Sequence, residues 1–464
     1  MTRLKLFGRK ESMSSAPQVP GPTGLEMLKV MKEGQRDILS TLMSLSNQYG
    51  DIVRFRYGLW PACLVTHPDH VRHVLQTNNR NYDKGNPLWD MSRWFFREGL
   101  LTSEGEFWRR QRRLAQPAFH HKRIATFAEL MVEETVKMLA AWVQKDQEEE
   151  EAAFDMAAEM GHLTARIVST TLFGVDVEEQ AEAIHRQTLL INSEIGERFR
   201  ALLPLPPVLP TPRDRRFRAA QKELNDAVEQ MISRHRQDNT ERGNLLSMLM
   251  HARDEETNEQ MTDQQLRDEV LIFFTAGTET TANALAWCSY LLSTHPTVRR
   301  RLWAEIDEVS GGRRATLDDL PKLSYTRMVF LEAMRLFPPA WLISRRAVAD
   351  DEIAGYHIPA DTMIFTSPYV THRHATFWPN PEGFEPERFE KEREIKRFAY
   401  FPFGGGPRQC IGNQMAMMEG SLILATLCQQ YRLDLVAGHP IALEPLITLA
   451  PRHGIMMTRH RRQR

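Results

Sequence analysis

Phe403-Gly404-Gly405-Gly406-Pro407-Arg408-Gln409-Cys410-Ile411-Gly412 is the stretch on which the reading of this chain turns. It sets one cysteine between a glycine-rich loop and an apolar helical run, Ile411–Tyr431 (IGNQMAMMEGSLILATLCQQY). A cysteine at the start of a helix faces free N–H groups and the positive end of the dipole, which lowers its pKa. Three successive glycines let the backbone bend tightly and approach something large and flat. Arg408 adds a fixed cation two residues before the sulfur. A soft sulfur ligand, a glycine loop and a nearby cation suit a haem iron whose macrocycle carries propionates. A phosphate loop would need Gly-Lys-Ser/Thr after the glycines, and none follows. A lone cysteine is ordinarily an inert buried hydrophobe; the residues around Cys410 set it apart.

The chain has 464 residues, 42% of them hydrophobic, enough for a large core. Its 59 basic and 60 acidic side chains leave a net charge of −1, so no global affinity for nucleic acid is expected. Basic clusters at Arg109–Arg113, Arg213–Arg218 and Arg459–Arg464 read first as solvated faces or tails. Cys63, Cys288, Cys410 and Cys428 form no C-x-x-C pair. The N-terminal stretch has no apolar run near the ~20 residues of a spanning helix. These features predict a reduced, cytoplasmic, soluble protein without a transmembrane anchor, monomeric, with a flexible segment over 1–22 ending at Pro20-Gly21-Pro22. Residues 23–464 are expected to form a single domain.

The spacing Phe403-x-x-Gly406-x-Arg408-x-Cys410-x-Gly412 resembles the haem-binding signature of the cytochrome P-450 family. Five fixed residues fall within ten positions. Other motifs follow in family order. Trp108-x-x-x-Arg112 stands on a predicted helix, where i and i+4 share a face. On its own it is a packed Trp beside a surface Arg; beside Cys410 it resembles the family's propionate clamp. Thr262–Ser293 is the longest helical run, opened by a Thr262/Gln265 capping box. Its centre, Phe274-Thr275-Ala276-Gly277-Thr278-Glu279-Thr280-Thr281, is poor helix interior and predicts a local break. Ala276-Gly277-x-Glu279-Thr280 resembles the family's oxygen-activation motif, an acid followed by an alcohol. Glu332-x-x-Arg335, with Pro386-Glu387-Arg388-Phe389 downstream, resembles the buried Glu332–Arg335–Arg388 network that braces the cysteine loop. Arg345 matches the propionate-binding arginine by its spacing to Asp350, with Arg346 as the runner-up.

The remaining segments read more plainly. Leu25–Tyr49 predicts a helix, and Asp51–Thr66 two strands around a Gly58–Pro61 turn. Asn79–Ser103 reads as an irregular, aromatic-rich loop. Leu202–Pro212, with five prolines, excludes helix and strand; it reads as a stiff linker or a pocket mouth. His372-Arg373-His374 reads as solvent-facing loop rather than a metal pair.

The resemblance implies the cytochrome P-450 fold: one triangular, mainly α domain with a small β region. Haem b would lie between the Thr262–Ser293 helix and the helix after Cys410. It implies a monooxygenase in which Cys410 ligates the iron, and Glu279 and Thr280 deliver protons. Trp108, Arg112, Ala276, Arg345, Phe403, Gly404, Arg408 and Gly412 would hold the macrocycle. Rivals are a haem-thiolate peroxygenase or isomerase, and a non-enzymatic haem carrier. No flavin, nicotinamide or iron–sulfur module follows Cys410, so electrons are expected from a separate ferredoxin- or flavodoxin-type donor. Arg109, Arg110 and Arg113 are expected to dock it. The candidate pocket residues Leu101, Phe273, Ala276, Ala340, Leu342 and Ile447 carry no charge. They imply a hydrophobic substrate such as a fatty acid, terpenoid or steroid.

Overall fold

Two helices, rather than one, cover the Leu25–Tyr49 stretch: α1 (Gly24–Arg36) and α2 (Ile38–Tyr49). Asp37 separates them in an extended conformation, and its carboxylate accepts the Ser40 N–H at 3.0 Å. An aspartate that satisfies an orphan helix donor competes with continuing the helix before it. The computed structural model describes residues 16–148, 152–174, 178–200, 211–238 and 243–462.

The β region is a five-stranded sheet of β1 (Ile52–Tyr57), β2 (Trp60–Val65), β3 (Tyr82–Asp83), β4 (Ile343–Ala347) and β5 (Met363–Thr366), in the order β1-β2-β5-β4-β3. β1 and β2 form a hairpin with Tyr57 opposite Trp60, whereas β2 and β5 run parallel. Residues 16–22, expected to be flexible, are packed on this sheet. Val19 is buried, the Arg54 N–H donates to the Pro20 carbonyl at 2.7 Å, and a Cβ on Gly21 would stand 1.9 Å from the Arg54 carbonyl oxygen. The prolines keep the segment extended, and only glycine lets it lie this close to a strand.

The aromatic segment expected to be irregular contains a helix, α3 (Pro87–Phe96), capped by the Asn86 side chain with Pro87 at its first turn. Capping and an N-terminal proline outweighed the weak periodicity of so short a run. Residues 201–210, most of the proline-rich Leu202–Pro212 stretch, lie outside the described residues; Pro212 itself begins a helix over Pro212–Asp238. Four further helices matter for the site: α4 (Gly105–Ala115), α5 (Met156–Phe173), α6 (Glu178–Arg200) and α7 (Asp263–Thr294).

At 32 residues and 1.5 Å per residue, α7 is about 48 Å long. Thr262 and Gln265 cap it reciprocally, as the sequence predicts. It is buried on most faces, which fits its weak amphipathicity: α5 and α6 pack on one side. On the other lie α8 (Ser324–Leu336) and α9 (Asn413–Gln430). Trp287 of α7 stacks on Phe337 with ring centroids 4.5 Å apart. A small hairpin of β6 (Leu443–Pro445) and β7 (Leu449–Pro451) closes against α7 through Trp287, whose indole N–H donates to the Leu449 carbonyl.

Candidate active site

The cysteine loop is held by its own backbone before any side chain acts. The Cys410 N–H donates to the Phe403 carbonyl at 3.0 Å, and the Gly404 N–H donates to Phe401 at 2.9 Å. Gly406 has φ +68°, and a Cβ there would stand 1.9 Å from the Leu75 carbonyl oxygen. Only glycine takes that conformation at that approach without strain. Gly412 then starts α9. The Gly412 N–H and the Arg112 guanidinium both favour a Cys410 thiolate, as expected at a helix start. Burial outweighs them and pushes the thiol up rather than down. The exposed surface of Cys410 is cavity surface, so bulk water does not solvate the anion. Cys63, Cys288 and Cys428 are buried in apolar packing and none lines the cavity.

Opposite the cysteine, α7 presents Ala276, Gly277 and Thr280 to the same cavity. Ala276 is exposed in the middle of an otherwise buried helix because its neighbour is the cavity. The Thr280 hydroxyl donates to the Ala276 carbonyl at 2.7 Å, the back-bond that the sequence suggests. The expected break does not follow: α7 is continuous from Asp263 to Thr294. Thr275 and Thr278 make the same bond to Leu271 and Phe274, so each hydroxyl finds an acceptor without unwinding a turn.

The cavity between these walls measures about 510 Å³. Leu101, Phe273, Ala276, Ala340, Leu342 and Ile447, the predicted pocket residues, all line it. So do Phe403, Gly404, Arg408 and Gly412 on the cysteine side. Arg345 of β4 reaches it, whereas Arg346 points away and pairs with Asp83 at 2.6 Å. Trp108 and Arg112 of α4 do not line it. Trp108 lies under the Arg408 guanidinium at 3.8 Å, and Arg112 donates to the Gln409 carbonyl at 3.0 Å. In this arrangement both bear on the cysteine loop from outside the cavity.

Three cations converge where the cavity meets β4: Arg345, Arg408 and Lys84. Burial drives both arginines down to about 10, and Lys84 is driven well below its ordinary value by burial and then by Arg408 and Arg345. Glu104, 2.7 Å from Arg408, is the one carboxylate that acts in favour of all three. Lys84 otherwise donates to the Leu101 carbonyl and lies 4.3 Å over the Trp89 ring. A buried cluster short of negative charge is costly unless a guest anion completes it. Buried cations suited to two propionates, a glycine-lined floor and a facing thiol form one consistent set, and the residues fit haem. Sequence reasoning missed Lys84 because a lone lysine in the loop Asn81-Tyr82-Asp83-Lys84-Gly85 carries no pattern.

Behind the loop lies the carboxylate network that the motifs suggested. Glu332 and Arg335 are both fully buried and paired twice, at 2.7 and 2.8 Å; Arg388 approaches Glu332 at 3.3 Å. Arg335 also donates to the carbonyls of His372, Pro381 and Gly383. His372 is not solvent-facing: it is fully buried, and its Nε2 accepts the Phe401 N–H at 2.9 Å. Burial and the nearby Arg335 hold it well below the usual histidine range, hence neutral and able to accept. His374 meets Asp51 at 2.8 Å. Glu419, the one charged residue in Ile411–Tyr431, is the other miss. It lines the cavity from α9, has an unpartnered Oε1 and is pushed up to about 8 by burial. A lone acid in an apolar helix was the signal.

The arginines expected to dock a donor are engaged internally. Arg109 pairs with Glu106, Arg110 with Glu259 at 3.3 Å, and Arg113 with Asp254 and Glu256 at 3.0 and 2.9 Å. For Arg110 and Arg113 the partners are acidic residues distant in sequence, whereas Arg109 meets Glu106 one turn away on its own helix.

The family model described as Cytochrome P-450 matches residues 17–457. Cyclooctatin synthase of Streptomyces melanosporofaciens is 40% identical over 406 residues, covering 86% of this chain and 87% of that one. Cyclooctat-9-en-7-ol 5-monooxygenase of the same organism is 38% identical, covering 92% of each. Pentalenene oxygenase of Streptomyces avermitilis is 36% identical, covering 86% and 89%.

Proposed function

The chain belongs to the cytochrome P-450 family, and from that premise we propose that it hydroxylates a polycyclic terpenoid held between α7 and the β6–β7 hairpin. It is a haem b monooxygenase that acts on a hydrophobic small molecule, using dioxygen and electrons from a redox partner. Among the described residues no helix is long and apolar enough to cross a membrane. The observation that supports the terpenoid reading is the apolar lining of a cavity of about 510 Å³, in a chain similar over most of its length to enzymes named for cyclic terpenoids.

Haem b, when bound with the Cys410 sulfur on its iron, supplies the activation of dioxygen. The chain's residues divide the rest. Arg345, Arg408 and Lys84 would hold the propionates, and Trp108 and Arg112 fix the loop that would present the sulfur. Leu101, Phe273, Ala340, Leu342 and Ile447 exclude water and orient the substrate. The Thr280 hydroxyl, on the cavity face of α7, orders the water from which a proton passes, with Glu279 as the acid. The separate donor is a ferredoxin- or flavodoxin-type protein. The acid–alcohol pair favours this reading over a peroxygenase.

Titration of the holoenzyme with cyclooctat-9-en-7-ol, pentalenene, a steroid and a long-chain fatty acid tests the substrate class. The expected result is a Soret shift to the high-spin position with one of the two terpenoids at micromolar concentration. A response to the fatty acid or steroid alone overturns the terpenoid assignment.

A further inference from the structure

An acid that exchanged protons directly with bulk water would sit near the surface, and Glu279 does not. It is 7% exposed and clasped by two uncharged side chains from two other elements. Thr448, in the β6–β7 hairpin, donates its hydroxyl to Glu279 Oε1 at 2.5 Å. Asn192, on α6, donates its amide Nδ2–H to Oε2. Burial raises the acid and these two donors oppose it; no charged side chain is among the groups acting on it.

The two partners are not equivalent. Asn283, one turn along α7 from Glu279, donates to the Thr448 hydroxyl at 3.0 Å. That bond takes one lone pair of the hydroxyl and helps aim its own proton at Oε1, so Oε1 is an acceptor in this arrangement. The acidic proton is then best placed on Oε2, facing Asn192. Asn192 is 1% exposed, and its Oδ1 is buried without a partner. A primary amide has a donor end and an acceptor end of nearly the same shape. With Glu279 ionised, Nδ2–H donates to the carboxylate. With Glu279 protonated, the amide turned by half a revolution lets Oδ1 accept the acid O–H.

We propose that Asn192 is a positioning residue for Glu279: by flipping its amide it holds the acid in one orientation through loss and regain of its proton, for as long as α6 stays seated over the cavity. The inference rests on the reading of Glu279 as the proton-delivering acid. The proton lost from Oε2 leaves toward the Thr280 hydroxyl and its water, and solvent returns one, so the cycle closes on a carboxyl in the same place. The hairpin fixes one oxygen and the helix follows the other.

The test uses the haem-loaded enzyme and three variants. The carboxylic C=O stretch of Glu279 is identified in the H₂O-minus-D₂O infrared difference spectrum by its loss in Glu279→Gln. In Asn192→Leu, which keeps the volume and removes both ends of the amide, that band should move to higher frequency as it loses its partner. Amide hydrogen exchange around Asn192 in α6 should quicken about tenfold, the effect of one lost hydrogen bond. Peroxide released per electron pair, with whichever terpenoid gives the Soret shift, should rise several-fold. Asn192→Asp, which keeps the shape and adds a like charge, should strengthen the carboxylic band instead, and it serves as the folded variant if Asn192→Leu loses haem. A Glu279 band unmoved in Asn192→Leu and not strengthened in Asn192→Asp overturns the inference. Coupling unchanged in Glu279→Gln itself overturns the underlying assignment of the acid, whatever Asn192 does.

Discussion

The two walls of the cavity are built on different principles. On the cysteine side, the Phe403–Cys410 loop is closed by its own backbone bonds, and the fully buried Glu332–Arg335 pair, joined by the half-buried Arg388, grips the chain behind it. On the opposite side, α7 supplies one stripe, and the rest comes from α3, α5, α6 and the β6–β7 hairpin. The first wall tolerates little because its members share one backbone path. The second is a meeting of separate elements that can shift by side-chain exchange. If Cys410 ligates the iron as proposed, the ligand sits on the wall closed by its own backbone and substrate choice on the wall assembled from separate elements.

The difference predicts a graded series. Cys410→Ser should have the largest effect: complete loss of the thiolate-type Soret band of the reduced carbonyl complex. A surviving band, with Cys63, Cys288 and Cys428 unchanged, would break the assignment of the wall. Next comes Arg335→Ala, which leaves Glu332 charged and buried with only Arg388 at 3.3 Å. Breaking a buried pair costs about 3–5 kcal/mol, and haem content and thermal midpoint should both fall. A haem-replete Arg335→Ala protein of normal stability would show that the network does not carry the loop.

On the far wall, Thr280→Ala should spare haem content and substrate binding while lowering product yield per electron pair. General acid–base groups contribute ~10²–10⁴-fold, and Thr281 or water softens the loss. Yield equal to that of the parent enzyme would reduce Thr280 to helix packing. The smallest effect is expected in the pH dependence of stability. Glu269 on α7 accepts the Leu100 N–H at 3.0 Å and is pushed up to about 8 by burial. Its folded value lies above its unfolded one, so between about pH 5 and pH 8 the native state binds more protons. Stability should fall as pH rises through that window, by about 1 kcal/mol per pH unit for this group. Glu269→Gln should flatten the slope of thermal midpoint against pH there, and an unaltered slope would place the titration elsewhere.

The sequence by itself determined the parts written contiguously. Phe403–Gly412 carried the resemblance to the family's haem-binding signature because that signature is five residues at fixed short spacing. The length of the helical run and the Thr262 capping box located the long helix, since capping is a local property. Only the tertiary structure decided what each charged or polar side chain faces. Nothing along the chain shows that Arg109 is cancelled by Glu106 or that Arg346 turns away to Asp83, or marks Lys84 as the third cation. The pKa of Cys410 went the same way: the helix start is legible in sequence, but the desolvation that outweighs it depends on walls drawn from distant segments. Asn192, Glu279 and Thr448 are far apart in the chain, and their meeting is a consequence of packing alone. Backbone chemistry acts over a few residues, whereas burial and charge pairing act over ångströms, and that distance exists only after the chain has folded.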